Sequence, residues 1–131
     1  MGVETAVQGA LYTALTALGL RGYDVAPQAA DGASLATFPY VEVGAVVFAD
    51  FDVKAVNGFD FVARIHTRSR SGSHAETKGI QGQIYARLHN GDLTITGQRL
   101  ILLRRENSFC DRVTDGSFHG VCEYRGLIET L

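Results

Sequence analysis

Phe59-Asp60-Phe61-Val62-Ala63-Arg64-Ile65-His66 alternates between apolar and polar residues, and this stretch decides the fold. Phe59, Phe61, Ala63 and Ile65 point one way, while Asp60, Arg64 and His66 point the other, as in a strand covered on one face. Just upstream, Pro39 opens the run Tyr40-Val41-Glu42-Val43-Gly44-Ala45-Val46-Val47-Phe48. Its β-branched residues and leading proline predict a strand buried over most of its length. Residues 50–58 join the two, carrying Asp50, Asp52 and Lys54 and ending in Asn57-Gly58, the strongest short turn signal in the chain. The pair reads as a hairpin with a long charged tip.

Working outward, Arg68-Ser69-Arg70-Ser71-Gly72 breaks the strand pattern and Ser73-His74-Ala75-Glu76 begins a helix as a capping box. In that motif Ser73 accepts from the Glu76 N–H while the Glu76 carboxylate reaches back to Ser73. Ile80, Ile84 and Leu88 form one apolar stripe, Gln81, Gln83 and Arg87 fall elsewhere on the wheel, and His89-Asn90-Gly91 supplies a left-handed cap. Residues 93–96 and 100–103 flank Gly97-Gln98 as a short hairpin whose second strand runs on toward Phe109. After Asp115-Gly116 a last strand sets Phe118, Gly120, Cys122, Tyr124 and Ile128 on one side, and His119, Glu123 and Arg125 on the other. Near the N-terminus, Val7, Leu11, Ala14, Leu15 and Leu18 recur at helical spacing, with Thr5 as N-cap and Gly19 and Gly22 as stops. Residues 22–38 read as a long loop. The order α-β-β-α-β-β-β predicts a single α+β domain over residues 1–131, a mostly antiparallel sheet with two helices packed on one face.

The 131 residues suit one domain, and 46% hydrophobic with 20% charged residues is ordinary for a globular protein. A net charge of −2 argues against attachment to nucleic acid through bulk basicity. No apolar run approaches the roughly 20 residues of a membrane helix, so no membrane partner is expected. Glu4 stands where a secretion signal carries bases, and Cys110 and Cys122 make no disulfide framework, which together suit a reducing cytoplasm.

Chemistry-bearing motifs are sparse. His66, His74, His89 and His119 sit on separate elements without metal-ligand spacing, and polar surface is the commoner role for such residues. Asp50-Phe51-Asp52 resembles the Asp-x-Asp of some metal-dependent transferases, but two acids on a turn are more often solvated. No nucleophile elbow or Walker loop occurs, and Gly79-Ile80-Gln81-Gly82 lies inside a helix where it cannot cradle a phosphate. Cys122 falls on an apolar strand face, as an inert core thiol does. Arg64, Arg68, Arg70, Arg104 and Arg105 would form a phosphate-binding patch if they converged. These residues yield no catalytic, cofactor or metal set. A small ligand-binding or nucleic-acid-binding α+β domain stays open as the alternative.

Several local signatures, in order along nearly the whole chain, resemble the tail-completion family of tailed bacteriophages, also called tail-terminator or head–tail joining proteins. Members occur in siphophages, prophages and gene transfer agents. The signatures are the Ala- and Leu-rich first helix; Phe38-Pro39-Tyr40-Val41-Glu42-Val43-Gly44; the strand ending His66-Thr67-Arg68-Ser69-Arg70; Leu93-Thr94-Ile95-Thr96-Gly97-Gln98-Arg99-Leu100; and Asp115-Gly116 leading to His119-Gly120. Thr67 departs from the pattern, where the family usually carries an aromatic, and the second helix has less alanine than is typical.

The resemblance implies a structural virion protein without bond chemistry, made in the host bacterial cytoplasm and placed at the tail–neck junction. Such proteins form a homo-oligomeric ring, usually a hexamer, that terminates the tail tube protein's polymer and presents a surface to the head connector. DNA passes through the lumen without specific binding. For this role the expected interface residues are Asp50, Phe51, Asp52, Lys54 and Asn57 at the hairpin tip, with Phe51 as apolar anchor, together with Arg68 and Arg70. The residues between positions 26 and 37 form a second candidate contact. A head-to-tail ring requires two different complementary patches on each subunit.

Overall fold

The alternating stretch, residues 59–66, lies at the centre of the sheet, paired on both sides. In the computed structural model, which describes residues 2–31, 35–53 and 56–131, the chain runs α1 (Val3–Thr16), β1 (Gly22–Tyr23), β2 (Tyr40–Val53), β3 (Val56–Ser69), α2 (His74–Leu88), β4 (Gln98–Arg112) and β5 (Phe118–Thr130). The strands lie in the order β1-β2-β3-β5-β4, and every pairing is antiparallel except β1 on β2. Phe61, Ala63 and Ile65 of β3 join Val41, Val43, Leu103, Cys122, Tyr124 and Ile128 in one core with Val7, Leu11 and Leu15 of α1 and Ile80, Ile84 and Leu88 of α2. Both helices therefore cover the same sheet face, as the α+β reading requires.

Several local expectations are corrected. The hairpin tip is not an open connector: Asp50 pairs with Phe59, Phe51 with Gly58, Asp52 with Asn57 and Val53 with Val56. Asn57-Gly58 thus lies in a strand, because ladder bonds use backbone groups and tolerate charged side chains on an edge. Among the described residues of strand β2, Tyr40, Val41 and Val43 are buried, whereas Ala45 and Ala49 are exposed and Val47 is 67% exposed, since among the described residues no layer covers the second face. A register shift between Val43 and Val46 sits at Gly44, where a Cβ would meet the His66 ring 2.6 Å away. Residues 93–95 are not a strand. Leu93 and Ile95 are buried in the core without a sheet partner, and the two-residue β1 takes the missing place in the count.

The helices also start differently. Gly2, not Thr5, precedes α1, and Leu18 lies past its end. At α2, Ser73 accepts from the Ala75 N–H instead of that of Glu76, and the Glu76 carboxylate accepts from the buried Ser69 hydroxyl of β3 at 2.5 Å. Gln81 is buried against the sheet and its amide donates to the Phe109 carbonyl of β4 at 2.9 Å. At the helix end, the Asn90 N–H donates to the Leu103 carbonyl (2.8 Å), and His89 Nδ1 accepts from the Arg105 N–H (3.1 Å). Three backbone groups of the edge strand are thereby bonded to the helix beside it.

Candidate functional site

The expected interface residues that are described fall at the two ends of one hairpin. Asp50, Phe51, Asp52 and Asn57 occupy the distal ladder of β2 and β3, and Lys54 lies outside the described residues. Arg68 is at the opposite end of β3, with Arg70 just beyond it. At strand rise, Asn57 and Arg68 stand roughly 36 Å apart. Strand β5 pairs with β3 only as far as Gly58, opposite Glu129, so the last rungs of the hairpin project past the neighbouring strand. The structure divides the expected set into an acid-bearing end, where Asp50 is exposed, and a basic end.

The basic end borders a cleft of about 330 Å³ lined by Val25, Phe38, Tyr40, Glu42, Asp115 and Ser117 besides the two arginines. The Arg70 guanidinium lies 3.9 Å over the Phe38 ring, in cation–π geometry. Tyr40 packs edge-on to Phe38 and Tyr23, with ring centroids 5.0 and 5.2 Å away, which braces this wall. Glu42 accepts from the Ala26 N–H at 2.9 Å. Asp115 accepts from both the hydroxyl (2.6 Å) and the N–H (2.9 Å) of Ser117, and these bonds hold its carboxyl below the usual range. Among the described residues neither Arg68 nor Arg70 makes a hydrogen bond or ion pair. Sequence reasoning found the arginines and missed the cleft. Tyr40 and Glu42 reach it through strand register, Phe38 from the bend just before β2 and Asp115 through a turn, none of which spacing reveals.

The histidines and arginines resolve differently. His66 and His119 stack across β3 and β5, with Nδ1 of the first 2.8 Å from Nε2 of the second, so one ring donates to the other. Burial, reinforced by Arg68, lowers the His119 pKa to about 4, and burial lowers that of His66. His74 packs on Phe118 and His89 on Tyr85. Among the described residues no three His, Cys, Asp or Glu side chains are placed to hold a metal. The basic patch does not converge. Arg64 pairs with Glu123 (3.2 Å), Arg104 with Glu106 (3.8 Å), and Arg105 lies over Tyr85. Cys122 is fully buried and its thiol is pushed up by burial.

No curated protein matches the chain. A chain from the virion of a native gene transfer agent particle is similar in structure, with a TM-score of 0.81, 25% identity and 98% of both chains covered. The family described as tail completion protein gp17 matches residues 5–129, almost the whole chain. The chain belongs to that family, and is a structural protein of a phage-type virion tail.

Proposed function

We propose that the protein forms a ring, a hexamer on the family resemblance, that ends the growing tail tube and offers the head connector its docking surface. DNA passes through the lumen without specific binding, and the protein acts at the tail–neck junction after synthesis in the host cytoplasm. Its partners are its own copies, the tail tube protein and the head-completion protein. The observation that carries this reading is the two-ended hairpin in a tail-completion chain: exposed Asp50 at one end and, roughly 30 Å along the ladder, Arg68 at the other, with Arg70 just beyond it and neither guanidinium in an ion pair among the described residues. Two unlike patches on opposite ends are what head-to-tail closure needs. Similarity to a chain of a gene transfer agent virion adds support for placement in a particle.

The test is mass by light scattering on the purified chain, alone and mixed with tail-tube protein from the same source. The expected outcome is a ring, formed either alone or on the tube, with tube growth stopped. A chain that stays monomeric and leaves tube length unchanged overturns the reading.

A further inference from the structure

One long strand edge is left without a neighbour. Strand β1 pairs with β2 only at Val41 and Glu42, and past Glu42 no strand lies beside β2 among the described residues. The run that follows, Val43-Gly44-Ala45-Val46-Val47-Phe48-Ala49, carries no charge and no proline. Edges are ordinarily guarded by such residues, by bulges or by a covering element. The bulge here sits at the start of the run, between Val43 and Val46, and the ladder is regular from Val46 to Val53. Ala45, Val47 and Ala49 are all exposed. Val47 and Ala49 stand opposite Val62 and Asp60, on the sheet face away from the helices. A row of free backbone donors and acceptors is matched by another extended strand.

We propose that this edge receives the same strand of a second copy of the chain, antiparallel, with Val47 opposite Val47 across a two-fold axis. What a copy has to offer decides the occupant. Strands β3 and β5 are paired on both sides, β1 has two residues, and β4 between Leu103 and Phe109 is tied to α2 and its cap. Among the described residues the longest free edge on the copy is therefore β2 itself. The run is also its own complement. About Val47 the exposed side chains read Ala-Val-Ala in either direction, so Ala45 of each copy meets Ala49 of the other. Asp50 falls opposite Gly44, and no two charges face each other. The valines, each 67% exposed in the single chain, cover one another. Both copies use one and the same patch, so the pairing is isologous and complete at two. It differs from a head-to-tail contact and does not rest on the ring reading.

Directly opposite residues of an antiparallel pair are within reach of a disulfide. Val47→Cys in the full chain, with Cys110→Ser, is therefore expected to give a covalent pair in high yield under mild oxidation. Ile101→Cys with Cys110→Ser, equally exposed but on the opposite margin, serves as the control and is expected to stay single. Equal yields from the two variants overturn the contact. In a second arm, Val47→Lys and Val47→Glu place like charges opposite each other, and each is expected to show half the wild-type mass by light scattering with its circular dichroism unchanged. Mixing the two restores the wild-type mass, which only a contact of position 47 with itself allows. A mixture that stays at half mass, or single variants that keep the full mass, overturns the proposal. A ring whose mass the Val47 variants leave unchanged removes this contact and leaves the ring reading standing. A Val47-dependent pair that neither forms a ring nor stops tube growth does the reverse.

Discussion

Gly126 lies opposite Phe61 in the β3–β5 ladder, and a Cβ there would stand 2.3 Å from a carbon of that fully buried ring. The ring has core on all sides and cannot give way, so Gly126→Ala is expected to lower stability by roughly 1–3 kcal/mol in thermal or urea unfolding. The His66–His119 pair makes a second prediction, in pH. Both rings titrate below the ordinary histidine value when folded, so the unfolded chain takes up protons first as pH falls. Stability is fully present above about pH 6.5 and declines as pH drops toward 4, where a proton on the stacked pair adds charge beside Arg68. Urea midpoints across that window measure the effect, and His119→Gln is expected to flatten it. Both histidines were legible as polar-face residues. Their contact was not, because it depends on cross-strand register and on Gly44 leaving room for the ring.

At the scale of elements, α2 shows what a sequence does and does not disclose. Its Ile80, Ile84 and Leu88 stripe is buried as the spacing predicts, because helical periodicity and one-sided burial are the same fact. The capping box reads correctly as a helix start but wrongly as a closed pair. Glu76 accepts from Ser69 of β3, tying the first helical turn to the sheet. Ser69→Ala is therefore expected to cost roughly 1.5–3 kcal/mol, the range for hydrogen bonds to charged groups. Ser73→Ala at the exposed N-cap is expected to cost about 1 kcal/mol. Urea unfolding of the two variants decides the order. Gln81 falls off the apolar stripe, yet it is buried, with its side chain close against Gly120 and bonded to the Phe109 carbonyl. Leu93 and Ile95 alternate like a strand and bury like one, but find no ladder partner, and alternation carries no information about partners. The α+β class was legible because it depends on faces; the hairpin tip and the cleft were not, because they depend on register.

For the whole molecule, the two-layer arrangement leaves one sheet face open, and ion pairs span it. Arg64 meets Glu123, Arg125 meets Asp60, and Arg99 meets Glu129. Charges tied within the chain are less available to outside phosphates. The unpaired arginines of the cleft stand apart from this pattern. A sheet that recruits other sheets by edge addition needs two receptive margins. Here, Gln81, His89 and Asn90 occupy backbone groups along β4, while on the opposite margin β2 past Glu42 has no strand beside it among the described residues. The stretch of β4 from Leu103 to Phe109 is thus tied at three points to the chain's own helix and its cap, and a margin occupied in this way disfavours the edge-on pairing that strings sheets into fibres.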